Sequence, residues 1–430
     1  MGRVDILPTG RNFYSLDPYS IPTEASYRVG CILAEKLVER YLKEEGRYLA
    51  NVAIYWMCSD IMWSDWEVMA QILHLLGVRP RWRRGRVVGV EVIPLEELKR
   101  PRIDVTLRVS GILRDNFPNC IEIVDEAVLK VAKLDEPPEM NFLRKHVLKG
   151  IEEGLSFREA TYRIFSSKPG SYRNGVKYAI YASAWEKEED LKDAFLLWNS
   201  YAYGKGVYGV RAERPFEMLL KRVDITYNKV VSDEYDLLGC CCYFGVQGGL
   251  INAARVISGR DVKSYYGDTR RLEDIKIRTL KEEIERVTLS KLLNPKWIES
   301  MKKHGYKGAG DISKRIGRVF GWSATTKEVD SWIFEGIYST FIKDEKNREF
   351  FKRNNPYALE EIGRRLLEAY QRGLWSADEE TVEDLKRIYM EVEGYIEDTY
   401  DGIDVGDIQG GSIDINMEWK EKLIASYRDR

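Results

Sequence analysis

Three adjacent thiols, Cys240, Cys241 and Cys242, stand just ahead of an amide, Gln247, and a glycine pair, Gly248-Gly249, in the stretch EYDLLGCCCYFGVQGGL. Thiolates ligate soft and borderline metals, whereas a protonated thiol in a core behaves as a small apolar group. A zinc centre would need further soft ligands at tetrahedral spacing, and no second cysteine pair follows nearby. If the stretch is an extended strand, only Cys240 and Cys242 share a face. On residue types alone the thiols therefore read first as buried apolar groups, and the glycine pair as a flexible turn.

Other chemistry-bearing groups are few. The chain has three histidines. His74 lies among apolar neighbours in SDWEVMAQILHLL and reads as a satisfied helix residue, while His146, after Arg144-Lys145, reads as a surface cation. His304 stands by Gly305, Gly308 and Gly310, where an imidazole can act as ligand, proton acceptor or helix cap. In LPTGRNFYSLDPYSIPT, Arg11 offers a forked cation and Asn12 an amide on a loose backbone, which suits a carboxylate-bearing ligand; an ordered loop held by Pro8, Pro18 and Pro22 is the plainer alternative. The pattern Gly204-x-Gly206-x-x-Gly209, with Asp233 further on, imitates a dinucleotide fingerprint. It follows the helix-like DAFLLWNSYAY instead of a strand, so a glycine-rich loop is expected. No GxxxxGK[ST], HExxH or paired CxxC occurs, so any ATP must be bound by another chain.

These groups need elements to hold them. NVAIYWMC is a short apolar run of strand type. Ser64 to Leu76 has helical spacing, with Ser64 as N-cap, Glu67 three residues on and Gly77 as stop. VVGVEVIP and IDVTLRVSGI read as strands, and Phe117 to Leu134 carries the stripe Ile121, Val124, Val128, Val131. This alternation predicts an α/β fold, with a Rossmann-like domain and a parallel-type sheet over 1–137. After Pro137-Pro138, helical patterns run over Phe142 to Gly154, Ser156 to Phe165, Glu188 to Asn199, Pro215 to Arg222, Ile275 to Glu299, Asp311 to Arg353 and Tyr357 to Tyr395. A mostly helical domain with glycine-rich site loops is expected over 138–400, and a tail over 401–430.

Composition bounds the function. With 430 residues, 44% hydrophobic and 12% aromatic, the chain can bury a sizeable core. Its 67 basic and 69 acidic residues nearly cancel, so no global field gathers nucleic acid or an anionic membrane. No run of apolar residues is long enough for a membrane span, and MGRVDILPTG lacks the apolar core of a secretory signal; a cytoplasmic protein with reduced thiols is expected.

Six segments, in order, carry a resemblance: LPTGRNFYSLDPYSIPT, SDWEVMAQILHLLGVRPRW, ELKRPRIDVTLRVSGILRDNFP, LDEPPEMNFLRKH, NPKWIESMKKHGYKGA and NPYALEEIGRRLLEAYQRGLW. The chain resembles, from Leu7 to about Glu393, the C-terminal part of the cobaltochelatase large subunit CobN and its relative, the magnesium chelatase H subunit. The resemblance implies a tetrapyrrole-binding subunit that inserts Co²⁺ or Mg²⁺ into a cobalamin or chlorophyll precursor. ATP would be hydrolysed on separate AAA+ chelatase subunits, and the chain looks like the C-terminal third of its relatives: a split subunit completed by a separate N-terminal chelatase fragment, a degenerate paralogue or an excised piece.

Metal insertion needs a base for two pyrrole protons, weak ligands to hand over the ion, and cations for the ring's carboxylates. On this reading His304 and Glu67 are the catalytic candidates. Arg11, Asn12, Trp66, Gln247, Lys296, Trp297 and Tyr306 would bind the ligand, and Cys241, Cys242 and His304 would meet metal. The family pattern implies acids and a histidine where this chain has Gly239, Cys241 and Gln247, and glycine where it has Trp66 and Ser300; Arg173-Asn174 likewise interrupts a glycine-rich run. These departures fall inside motifs, so loss of catalysis is expected to be in play. The alternative is a non-catalytic tetrapyrrole-binding or regulatory paralogue, natural or engineered, holding a different or metallated ring.

Overall fold

The computed structural model describes residues 17–400 except 65, 173 and 231. Ten strands lie within it: β1 Asn51–Trp56, β2 Val78–Arg83, β3 Arg86–Val92, β4 Asp104–Val109, β5 Ile164–Ser166, β6 Tyr201–Gly204, β7 Val207–Arg211, β8 Ile225–Val230, β9 Lys263–Asp268 and β10 Lys276–Thr279. Every residue of β1, β4 and β8 is buried, as strands covered on both faces require, which explains their nearly continuous apolar character. Eight strands form one sheet in the order β10-β9-β8-β1-β4-β5-β6-β7, while β2 and β3 form a separate hairpin. Strands β9, β8, β1, β4 and β5 run parallel, and β10, β6 and β7 pair antiparallel at the two ends.

After β1 the chain adds β4 and β5 on one side, then returns to add β8 and β9 on the other. The order therefore reverses between β1 and β8, and the carboxyl ends of these strands frame a topological switch point, the usual ligand crevice of open α/β sheets. The helix Glu24–Glu45 starts at Thr23, whose Oγ1 accepts from the Ser26 N–H, and ends at Gly46 in the left-handed region. It packs on helix Glu67–Leu75, and Gly30 makes the crossing possible because a Cβ there would lie 2.4 Å from the Ala70 Cβ.

Packing divides the described residues into two units. The first runs to Asn174 and includes Phe195–Asp233 and Ala253–Thr279; the second comprises Gly175–Ala194, Glu234–Asn252 and the residues from Leu280 onward. The α/β unit thus extends beyond the boundary expected at residue 137, because β5 to β10 all lie after it. Among them β5, β6, β7 and β10 are only three to five residues long, and pairing in the sheet compensates for their weak local patterning. Two expected helices shrink for the same reason. Ser156 to Phe165 becomes a single turn, Phe157–Ala160, closed by a Ser156–Glu159 capping box and followed by β5. Ile275 to Thr279 is strand β10 and its approach, with helix Leu280–Val287 after it. The glycines 204, 206 and 209 lie in the antiparallel β6–β7 hairpin, not between a strand and a helix.

The second unit is helical. Its main elements are Gly175–Tyr181, Pro295–Lys302, Gly305–Thr326, Ser331–Ile337, Glu345–Asn354, Pro356–Gln371 and Glu379–Tyr400. Three π-helical turns occur in it among the described residues: Tyr243–Gly248, Thr288–Leu292 and Tyr338–Lys343. Among the described residues no helix is long and apolar enough to cross a membrane.

Candidate functional site

Beyond the carboxyl end of β1 the chain turns into a short helix, Cys58–Ser64, and its Asp60 is fully enclosed. Ser64 is not the cap of the next helix. Asp60 takes that role from a distance: its Oδ1 accepts the Val68 N–H at 3.0 Å and the Ser64 hydroxyl at 2.9 Å, while Oδ2 accepts the Trp56 indole N–H at 3.2 Å. Burial, only partly offset by the charge of Lys229, pushes the Asp60 carboxyl above the ordinary aspartate value.

Glu67 opens helix Glu67–Leu75 and joins this cluster. Its Oε2 accepts from Lys229 Nζ at 2.7 Å, at the end of β8, and from the Thr269 hydroxyl at 2.6 Å, just past β9. The switch point therefore gathers two carboxyls, one ammonium and one hydroxyl from three different strand ends. Trp66, expected to touch a ring, is fully buried and packs edge-on against Trp56 and Phe117. Its φ of 74° lies in the left-handed region that glycine favours, so the indole is a core residue held at a backbone position costly for a bulky side chain.

Further along the same edge lies a cavity of about 420 Å³ whose lining includes Asp268, Arg270, Arg271, Lys276 and Arg278. Asp268 accepts from Arg270 Nη2 at 2.6 Å and pairs with Arg278; burial opposes its ionisation, but these guanidinium groups hold its carboxyl far below the usual carboxylate range. Sequence reading missed this cluster, since its members carry no motif and β10 brings Lys276 and Arg278 beside Asp268 only through strand pairing.

In the second unit the cysteine segment is not a strand. Cys241 and Cys242 open a helical stretch that passes through the π turn Tyr243–Gly248 into Gly249–Ser258. Cys240 lies in the turn before it, with the Cys242 N–H directed at its Sγ at 3.4 Å. The three Sγ atoms lie within 4.8 Å of one another. Hydrogen bonds from Cys240 and Cys242, followed by the charges of Lys177 and Arg318, draw the Cys241 thiol well below its ordinary value against its burial, while Cys242 is pushed up by Cys240 and Cys241 and by burial. Gly248-Gly249 is no flexible turn: a Cβ on Gly248 would lie 2.3 Å from Thr325 Oγ1, so the glycine permits close helix packing. Gln247 is buried, and neither its Oε1 nor its Nε2 has a hydrogen-bond partner among the described residues.

The loop ahead of the cysteines is tightly clamped. Asp236 accepts from Lys291 at 2.7 Å and from both Arg315 terminal nitrogens at 2.9 and 3.1 Å. Burial works against its ionisation, and Arg315 and Lys291 reverse that, so its carboxyl sits below the usual value. Trp322 donates to the Leu237 carbonyl and Arg318 to that of Leu238. The Arg315 guanidinium also lies 5.2 Å over the Trp297 ring, which gives that residue a structural partner. Asp236 was not foreseen; its partners stand far along the chain and no local pattern announces them.

The remaining expected residues are placed as follows. Lys296 and His304 are exposed, and Tyr306 is 68% exposed. His304 precedes helix Gly305–Thr326 at the cap position without a capping side-chain bond. His146 is no plain surface cation, because its Nδ1 lies 2.7 Å from Asp104 Oδ2, and His74 Nε2 meets Glu35 at 2.6 Å. Arg11 and Asn12 lie outside the described residues. The structure thus joins Glu67 with Lys229 in one unit, and in the other sets Cys241, Cys242 and Gln247 on one segment.

Polar groups converging beyond the carboxyl ends of parallel strands, at a reversal of strand order, mark the crevice of a doubly wound α/β fold. Residues 1–382 match the family described as CobN/Magnesium Chelatase, and the chain belongs to that family. It is 70% identical over 99% of its length to an uncharacterized protein of Methanocaldococcus jannaschii, covering 35% of that protein. It is also 39% identical to the aerobic cobaltochelatase subunit CobN of Pseudomonas aeruginosa, over 91% of this chain and 32% of that one. The catalytic subunit of cobaltochelatase from Mycobacterium tuberculosis has the same fold, with a TM-score of 0.87 and 36% identity over 90% of this chain and 33% of that chain. The chain spans about a third of the length of these relatives.

Proposed function

We propose that this chain forms a tetrapyrrole- and metal-handling portion of a cobalt or magnesium chelatase large subunit. The observation that carries the reading is its likeness to a cobaltochelatase CobN and to the large magnesium-chelatase component of Chlorobaculum parvum across 91% and 92% of its length. The substrates are then a metal-free tetrapyrrole and Co²⁺ or Mg²⁺. ATP acts on AAA+ partner subunits.

In this reading Glu67, held by Lys229 and Thr269, is the first unit's candidate proton acceptor, and His304 is the second unit's. The guanidinium groups beside Asp268 hold ring carboxylates, together with Arg11 and Asn12. Lys296 and Tyr306, both exposed, are the second unit's candidate ring contacts, with Trp297 and the buried Gln247 ranking after them on residue type alone, and in the first unit Trp66 acts only by shaping the wall behind Glu67. A second reading, a non-catalytic paralogue that holds a metallated ring, draws support from Gln247: the family resemblance implies histidine there, and the amide is buried without partners among the described residues.

Absorbance titration of the purified chain with metal-free and then metallated porphyrin tests both readings. Preference for the metal-free ring, and metallation once Co²⁺ or Mg²⁺, ATP and the motor subunits are added, supports the chelatase. Binding of the metallated ring alone overturns it in favour of the paralogue.

A further inference from the structure

We propose that Cys240, Cys241 and Cys242 form a trithiolate site for one thiophilic divalent cation of the Co²⁺ or Zn²⁺ class, and that this site favours such an ion over Mg²⁺. The binding stands on geometry. The three sulfurs lie within 4.8 Å of one another, and metal–sulfur bonds of about 2.3 Å hold three thiolates roughly 3.8–4.0 Å apart, so small side-chain rotations close the site.

The fold explains how consecutive residues achieve this. In a strand they would alternate between faces, and within a regular helix they would fan out by about 100° each. Here Cys240 stays in the turn while Cys241 and Cys242 begin the helix, and the Cys242 N–H pointing at the Cys240 sulfur folds the turn back over the helix start. All three residues are half-buried, which leaves a path for an ion. Lys177 and Arg318 act on Cys241 with positive charge and offset the net negative charge of three thiolates around a divalent ion. The Asp236 clamp fixes the preceding loop to helix Gly305–Thr326, so the ligand set is anchored on rigid structure.

Three S–H bonds break and three metal–sulfur bonds form, the protons go to solvent, and no oxidant is required. The fourth position stays open to water or an incoming ligand. Mg²⁺ prefers oxygen donors and gains little from such a donor set. Binding of the ion is independent of the macrocycle, but a role in choosing the inserted metal rests on the chelatase reading.

The test is an anaerobic titration of the reduced full chain with Co²⁺, followed by absorbance and by proton release in weak buffer. The expected result is thiolate-to-cobalt charge-transfer bands with the visible bands of tetrahedral Co²⁺, saturating at one ion per chain. Excess Mg²⁺ leaves the spectrum unchanged and Zn²⁺ bleaches it. Cys241→Ser and Cys240→Ser, each checked for fold by circular dichroism, weaken binding by more than the roughly 100-fold that loss of a supporting hydrogen bond costs a metal site. Absent charge-transfer bands, Co²⁺ affinity unchanged in the serine variants, or equal competition by Mg²⁺ would each overturn the proposal. Ring binding without the thiolate spectrum removes this site and leaves the chelatase reading standing; the thiolate spectrum without ring binding does the reverse.

Discussion

The two ends of the parallel sheet treat a buried aspartate in opposite ways. Asp104, at the start of β4, is fully enclosed, and burial opposes its charge; Arg163 at 2.7 Å and His146 at 2.7 Å overcome that and hold the carboxyl below its ordinary value. Asp60, past the end of β1, is equally enclosed, yet burial wins over the more distant Lys229 and the carboxyl is raised. One end uses its cation to lock a strand, while the other keeps a carboxyl uneasy with its charge next to Glu67. Open α/β sheets put stability at the amino ends of strands and chemistry at the carboxyl ends, and these two residues express that division in a pair of opposite shifts.

The largest effect should come from Asp104→Asn, which leaves Arg163 buried without its counter-charge and should cost about 3–5 kcal/mol in urea unfolding. Because its folded value is lowered, its contribution is present above the unfolded aspartate value of about 3.9 and lost as pH falls through the folded value; the variant should lose that part of the acid sensitivity. An Asp60→Asn loss of equal size would erase the contrast.

Next comes Trp66→Gly. Relief of a left-handed backbone gains about 1–2 kcal/mol, but removing a buried indole costs about 3–5, so a net loss of about 1–4 kcal/mol is expected in thermal or chemical unfolding. A stabilised variant would mean that backbone strain, not packing, dominates the β1 end of the sheet.

Asp60→Asn should cost only about 1 kcal/mol at acidic pH, from one mismatched hydrogen bond to Trp56. Its sign with pH is opposite to that of Asp104. A raised carboxyl contributes stability fully below the unfolded value, and that contribution is lost as pH rises through the folded value, so the variant should gain on the wild type over that rise. Parallel urea series for the two aspartate variants would show slopes of opposite sign; slopes of the same sign would refute the comparison.

The smallest effect belongs to the second unit. Gln247→Leu removes two buried polar atoms that have no partners among the described residues and should stabilise by about 1 kcal/mol. A loss on this substitution would show that the amide is satisfied by solvent or ligand in solution, which would move it to the functional side of the contrast.

Much of the scaffold was legible. The uniformly buried β1 and β4, and the helix Pro118–Ala132 with its stripe of Ile121, Val124, Val128 and Val131, follow from local periodicity. The short strands β5 to β7 and β10 were not, because three to five residues flanked by glycine or charge carry too little period to outvote neighbouring helix. The site divides along the same line. Glu67 could be picked from its place at a helix start, but Lys229, Thr269 and Asp60 meet it only through sheet order, and Asp60 caps a helix across a turn that local rules assign to Ser64. The cysteines looked strand-like because apolar runs of that length suit either element. Asp236 depends on partners dozens of residues away, which no window over the sequence contains.

The π turn at Tyr243–Gly248 acts as a phase setter between two fixed points, the thiols at the helix start and the Gly248 seat against Thr325. With the seat immobile, rewinding the same six residues as regular α-helix would turn the thiol end by about one residue's rotation and swing the three sulfurs by about 100°. The direction in which the thiols face is therefore written in how widely the residues between them and one glycine are wound, and that winding constrains this helix as strictly as the identity of any side chain on it.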